Sequence, residues 1–437
     1  MKLRILFIMM MMPILVHAKE MSLEECVDYA LSHNTSIQNK ERDIAAIDSD
    51  IRAAWGGFLP KVTMNAGYIA YEKDAVSTTM NIVTPGGAMS FTMPGGTAPD
   101  YTASINASQP IFVGGALYYG LKSQYERKTA LEEEYRKLKM DIMFDVSQTY
   151  YNVIYTHLML VVTEESLEMV KKQVAMAEAR YKNGEATQVD VLQARVELSN
   201  LYPQHIKLKN LDHVAVLRLK NIIGMADNED LSVAHDFKVE EFELSPSVES
   251  MIEVAQQKRP DLRILKANEQ ALVYAHRVTK GQYLPKLFLN GSYSVSKENW
   301  EEEWTDNYSI SLVMSWNIFD GFSREASIEK AGLSLQSLRA TRIDIEQKIR
   351  IDVRMKYQNI LETRERLKAE EEGVLLSKQT LVLAESSYKE GLISLLDLMR
   401  ARLGYNNSRT GYIQAKYDSN LAILELKKVT GQLYGEE

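Results

Sequence analysis

The sequence predicts a mainly α-helical protein with a small β part, written as two tandem repeats. Two stretches 207 residues apart match position by position. Long segments without proline carry a helical apolar period, and four short stretches alternate apolar and polar residues. The chain has 437 residues, of which 45% are hydrophobic and 25% charged, values that fit an ordered protein rather than a disordered one. A net charge of −8 argues against general nucleic-acid binding. One cysteine, Cys26, excludes an intrachain disulfide, and the seven histidines form no i,i+3 or i,i+4 pair that would suggest a metal site.

Met1–Ala18 reads as an export signal. Lys2 and Arg4 form its basic start, Ile5 to Val16 is an apolar run broken only by Pro13, and Val16-His17-Ala18 suits cleavage after Ala18. The run is short for a membrane anchor, and Cys26 lies too far on for a lipoprotein signal. No later segment holds 18 consecutive apolar residues, so no transmembrane helix is expected.

The duplication sets the domain boundaries: signal 1–18, first repeat 19–224, linker 225–247, second repeat 248–431 and tail 432–437. Residues 177–195 and 384–402 are identical at 8 of 19 positions, among them Tyr181/Tyr388, Lys182/Lys389, Gly184/Gly391, Asp190/Asp397 and Arg195/Arg402. Near the start of each repeat the offset becomes 225, where Leu59-Pro60-Lys61 matches Leu284-Pro285-Lys286. The difference of 18 residues is an insertion in the first copy. It contains Pro85-Gly86-Gly87 and Pro94-Gly95-Gly96, which read as loop.

Each repeat follows one plan. Ser22 with Glu25 forms a capping-box pattern at the start of a helix expected to run to about Phe58. Strands follow at about 62–70 and 101–108 in copy one, and at about 287–296 and 308–316 in copy two. Turns at Ile111–Gly115 and Asn317–Phe322 lead into helical segments ending at Gly184 and Gly391, each about 100 Å long at helical rise. A second helix then runs to Gly224 or Gly431. Leu167, Val170, Val174, Ala177 and Tyr181 step by 3 and 4, as do Val374, Ser377, Leu381, Ala384 and Tyr388, the spacing of a coiled-coil seam. By the same reading Tyr181 and Tyr388 pack in the seam, Glu132–Glu134 and Glu370–Glu372 are solvated faces, and Cys26 is partly buried.

Four strands cannot close a barrel, and open edges cannot sit in lipid. Either they form a small water-exposed sheet, or several chains share a barrel, with eight strands from two chains or twelve from three. Val62, Met64, Ala66, Tyr68 and Ala70 fall on one face, with Thr63, Asn65 and Gly67 on the other. Alternation alone fits an ordinary half-buried hairpin equally well. The export signal and the long helices favour the shared barrel.

SLEECVDYALSHN at 22–34, RPDLRILKA at 259–267, the two Leu-Pro-Lys strand entries, QPIFVGG at 109–115, WNIFDG at 316–321 and the duplicated Tyr-Lys-x-Gly…Asp…Ala-Arg tips form one ordered set. In this set the chain resembles the TolC-like outer-membrane factor family over nearly its whole mature length. The resemblance implies a homotrimer with a shared twelve-stranded barrel in the outer membrane and a periplasmic tube of coiled helices. It implies that the tips Lys182, Asn183, Gly184, Glu185 and Lys389, Glu390, Gly391, Leu392 lie at the periplasmic entrance and meet an adaptor protein, with an inner-membrane pump beyond. It places Asp397 and its twin Asp190 at the narrowest constriction. A further acidic family position is Arg400 here and Gln193 in the first copy, so the doubled acidic ring is absent. Asp397 and Arg400 could form a latch. Asp190 and Asp397 could equally cap the second helix of each hairpin.

No Gly-rich phosphate loop, HExxH, GxSxG or zinc-finger spacing occurs, so no enzyme activity and no cofactor are expected. The reading is an outer-membrane channel of a tripartite efflux pump or type I secretion system, a passive gated duct from periplasm to exterior, with the Pro-Gly segment at 84–99 outside the cell. The rivals are an exported soluble coiled-coil scaffold and a self-contained porin.

Overall fold

The computed structural model describes residues 19–69, 78–84, 87–93, 101–234, 237–240, 242, 244, 247–297, 301 and 303–433. The expected export signal, most of the tail, Ala70 and most of the Pro-Gly stretches lie outside these residues. The elements run β1 (Lys19–Met21), α1 (Leu23–His33), α2 (Thr35–Gly56), β2 (Lys61–Tyr68), β3 (Thr78–Thr84), β4 (Gly87–Met93), β5 (Tyr101–Val113), α3 (Ala116–Lys182) and α4 (Gln188–Ile223). After these come β6 (Leu231–Val233), α5 (Val248–Lys258), α6 (Pro260–Lys280), a 3-10 turn at Gly281–Tyr283, β7 (Lys286–Lys297), β8 (Thr305–Ser315), α7 (Ser323–Lys389) and α8 (Leu395–Thr430). No described helix is long and apolar enough to cross a membrane.

Contacts divide the chain into two units, each drawn from both halves of the sequence. One holds the described residues up to Arg42 with Glu132–Arg263 and Arg342 onward. The other holds Asp43–Leu131 and Ile264–Thr341.

In the first unit, the expected single helix from Ser22 to Phe58 is two helices. The capping box forms: Glu25 N donates to Ser22 Oγ at 3.2 Å, and Ser22 N donates to Glu25 Oε2 at 2.9 Å. The helix then breaks at Asn34, which is extended and accepts from Ser36 N at 2.8 Å through Oδ1. The second copy breaks 225 residues on, at Arg259, where Pro260 disfavours helical backbone for the residue before it. Asp261, one residue past Pro260, receives Arg259 at 2.7 Å and Lys137 at 2.8 Å. Burial raises its pKa, but these two cations outweigh it and hold the carboxyl below its usual range.

The core of this unit gathers Cys26, Ala30, Val146, Ile154, Leu219, Ile223 and Leu424. Each buried Leu or Ile of this kind contributes about 1.5–3 kcal/mol. Cys26 is fully buried, not partly, because it lies on the inward stripe of α1 with Val27 and Ala30. β1 pairs parallel with β6, an element too short to announce itself by alternation. The seam holds at Leu167, Val170, Ala177, Leu381 and Tyr388, all buried, but Tyr181 is exposed. The acidic run 132–134 is not a plain solvated face: Glu133 pairs with Arg263 at 3.3 Å and Glu134 with Lys40 at 2.5 Å.

In the second unit, four strands form an antiparallel sheet in the order β2-β5-β7-β8. β5 is longer than expected. Ile111–Val113 belongs to the strand, with a bulge between Pro110 and Phe112, and the turn is confined to Gly114-Gly115. The insertion is not simply loop: β3 and β4 pair as a separate hairpin in a sheet of their own. Pro85-Gly86 and Pro94-Gly95 directly follow the two strands and mask their alternation in the local sequence.

Candidate channel wall and entrance

The sheet register sorts its residues by chemistry. One row across the strands is Thr63, Asn106, Ser292 and Ser309, and another on the same face is Asn65, Ser104, Ser294 and Asn307. The rows that alternate with them, on the opposite face, are Val62, Ala107, Gly291, Ile310 and Met64, Ile105, Tyr293, Tyr308. A one-residue slip in any strand would mix these faces, so the pattern and the register support each other. Within one chain the apolar face is bare: Ile310 is 79% exposed. A hydrophobic face open to that extent indicates a second copy or lipid as its solvent.

The edge strands β2 and β8 run in opposite directions, because three antiparallel pairings separate them. Copies joined edge to edge therefore stay antiparallel throughout, and closure removes edges that lipid could not satisfy.

The two hairpin tips are built alike in the first unit. Gly184 and Gly391 both have φ +77°, a conformation that glycine adopts without steric cost. Glu185 N donates to Arg180 O at 2.8 Å and Gly184 N to Tyr181 O at 3.0 Å; Leu392 N donates to Ser387 O at 2.8 Å and Gly391 N to Tyr388 O at 3.1 Å. These are paired Schellman caps. Each following helix starts with a capping box. Asp190 Oδ2 accepts from Thr187 N and Thr187 Oγ1, both at 2.8 Å. Asp397 Oδ2 accepts from Ser394 Oγ at 2.6 Å and Ser394 N at 3.3 Å. The Ser394 hydroxyl and amide hold the Asp397 carboxyl below its usual range, with Arg400 a smaller cause. Thr187 and Ser394 are therefore the N-caps, and Asp190 and Asp397 are the third-position partners in their capping boxes. The signal was present as Thr187-x-x-Asp190 and Ser394-x-x-Asp397, a capping-box spacing with Asp in place of Glu.

Arg400 Nη1 stands 3.8 Å from Asp397 Oδ1 with both side chains exposed, a geometry of little energetic value. Gln193 and the tip residues Lys182, Asn183, Glu185, Lys389, Glu390 and Leu392 are exposed. The residue that sequence reasoning left without a role is Arg402. It pairs with Glu385 at 3.1 Å, donates to Gln173 Oε1, and reaches Met169 O at 3.5 Å, joining α8 to α3. Its identity with Arg195 across the repeats was the only sign.

The family profile described as "Outer membrane efflux protein" matches residues 26–225 and 251–432, one stretch in each half of the chain. The chain belongs to the outer membrane efflux protein family. A relative, outer membrane protein TolC of Vibrio cholerae, is 20% identical over 393 residues, covering 88% of this chain and 84% of that protein. The alkaline protease secretion protein AprF of Pseudomonas aeruginosa is 21% identical over 346 residues, covering 76% and 70%. Among solved structures, CusC superposes with a TM-score of 0.78 at 14% identity, covering 94% of this chain and 92% of that one. VceC of Vibrio cholerae gives 0.76 at 16%, covering 94% and 96%. As an outer membrane efflux protein, the chain is a transport duct of the outer membrane that extends into the periplasm.

Proposed function

We propose that three copies close a twelve-stranded barrel and that the trimer serves a tripartite efflux pump or type I secretion system as its passive exit duct. The observation that carries this is the four-stranded sheet with one polar face, one apolar face and two oppositely directed open edges. Twelve is a permitted even count, and the apolar face then meets lipid while the Ser/Asn/Thr rows line water. The duct supplies a path and performs no catalysis; the energy comes from an inner-membrane pump through a periplasmic adaptor that contacts the tips at Gly184 and Gly391. Asp190 and Asp397, with Gln193 and Arg400, ring the entrance, and the β3–β4 hairpin lies outside the cell.

Native mass spectrometry of the detergent-purified protein tests the assembly: three chains are expected, and a chain that stays monomeric and soluble without detergent would refute it. Planar-bilayer conductance tests the entrance. Asp397→Ala with Arg400→Ala is expected to raise the resting conductance; unchanged conductance would leave Asp397 a capping-box partner and nothing more. A protease added to intact cells is expected to cut near residues 84–99, and cleavage only in broken cells would place that segment inside.

A further inference from the structure

In the second unit the first turns of α3 pack beside the last turns of α6, where Ser123 Oγ donates to Ala271 O at 3.1 Å. Three tyrosines and two cations meet there. The Tyr119 and Tyr274 rings stack with centres 6.2 Å apart, and Tyr118 meets Tyr119 edge-on at 5.2 Å. Lys122 Nζ lies 4.8 Å from the Tyr118 ring centre and 5.6 Å from that of Tyr274. The Arg277 guanidinium lies 5.3 Å from the Tyr119 ring centre and 5.8 Å from that of Tyr274. Two cations therefore share the Tyr274 ring. Among the described residues, neither has a carboxylate as ion-pair partner. The rings attract these cations but supply no negative charge to cancel them, and like charges gathered on one ring repel.

The duplicated fold does not demand this cluster. At the 207-residue offset Tyr118 and Lys122 become Glu325 and Glu329, and at the 225-residue offset Tyr274 becomes Ser49. Arg277 alone keeps its type, as Arg52, which donates to Ser49 Oγ at 2.8 Å. The place is also particular. α3 begins directly after the Gly114-Gly115 turn that ends β5, and α6 leads through the 3-10 turn into β7. Lys122 stands about 9 Å along α3 from its start at Ala116. At the strand ends of this unit Tyr283, Trp316 and Phe319 are exposed, and aromatic residues of this kind gather where lipid meets water.

We propose that Lys122 and Arg277, backed by Tyr118, Tyr119 and Tyr274, bind the phosphate of a phospholipid headgroup from the periplasm-facing leaflet. Arg277 supplies N–H donors in a planar fork and Lys122 a compact charge, the two ways in which side chains hold phosphate. A phosphodiester monoanion between them cancels their repulsion, and its acyl chains continue onto the apolar face of the sheet. The site is complete within one chain, so a trimer carries three. The proposal rests on the reading of the sheet as one chain's share of a barrel in lipid.

The test weighs the full chain by native mass spectrometry, in detergent with an equimolar mixture of phosphatidylglycerol and phosphatidylcholine. The second lipid carries its own ammonium beside the phosphate, which the two cations repel. Bound phosphatidylglycerol is expected to exceed phosphatidylcholine by about fivefold or more, the preference that one cation near a headgroup supplies. Lys122→Gln with Arg277→Gln is expected to bring the two lipids to parity, while Lys122→Arg with Arg277→Lys keeps the preference. Arg277→Gln alone, at an exposed position, is expected to lower it with the assembly intact. Three chains without a lipid preference, or with the same preference in the glutamine variants, would overturn the site and leave the trimer standing. Displacement of the lipid by millimolar inorganic phosphate would overturn the headgroup assignment in favour of a free anion. A single chain that holds no lipid would overturn the barrel reading and the site together.

Discussion

Gly114 and Gly281 approach so closely that a Cβ on either would sit 2.2 or 2.0 Å from the carbonyl oxygen of the other. Gly114 also has φ +64°, so it is held both by backbone conformation and by contact. The pair joins the turn after β5 to the turn before β7, and it fixes where α3 leaves the sheet. Gly281→Ala is expected to prevent assembly of the proposed barrel, seen as loss of the three-chain mass in native mass spectrometry. Gly56→Ala, whose Cβ meets nothing within 4 Å, is the expected neutral control.

The tip glycines carry a smaller, measurable strain. Gly391→Ala forces a left-handed alanine, at a cost of about 1–2 kcal/mol. Hydrogen exchange at Leu392 N–H, whose acceptor is Ser387 O, is expected to quicken while exchange at the distant Gly431 cap stays unchanged.

Capping at Ser394 is expected to be worth about 1 kcal/mol, so Ser394→Ala should loosen the first turn of α8. The carboxyl partner adds a pH dependence. Asp397 titrates below its unfolded value of about 3.9 in the folded protein, so its contribution is complete above that pH. It is lost only as pH falls through the lower folded pKa. Amide exchange at Ser394 and Asp397 is expected to stay flat from neutral pH down to the ordinary carboxylate range, once corrected for intrinsic rates, and to rise below it. A rise centred at or above the ordinary value would contradict the depressed pKa.

The two faces of the sheet should respond oppositely to charge. Leu312→Arg places a cation on the apolar face, which meets lipid in the proposed barrel, with an expected cost of about 2–4 kcal/mol near the midplane and poor barrel yield. Ser309→Arg lies on the polar face and is expected to assemble normally while shifting ion selectivity in bilayers toward anions.

Arg402 and Arg195 occupy equivalent positions in the repeats and should not be equivalent in energy. Arg402→Ala leaves Gln173 and Glu385 without their cation and is expected to cost about 1.5–3 kcal/mol in the unit that holds the hairpins. Arg195→Ala removes an exposed pair worth at most about 1 kcal/mol. Denaturation monitored by hydrogen exchange across 160–180 and 395–410 measures the difference.

The sequence alone determined the duplication, the long helices, their glycine stops and the alternating strands. Each rests on local chemistry: period, capping spacing and the backbone freedom of glycine. It was equally sufficient for the family, because the ordered motifs recur in both halves. Other features were decided only by tertiary structure. Asn34 breaks the first helix without a proline to announce it, while its counterpart Arg259 precedes Pro260. The insertion pairs as β3 with β4, an association that depends on register rather than composition. Tyr181 and Tyr388 read the same in sequence, yet one is exposed and the other packs against Leu395 and Leu398. Matching motifs acquire different environments because α8 lies against α3, while the corresponding α4 face at Leu192, Arg195 and Val196 is exposed among the described residues.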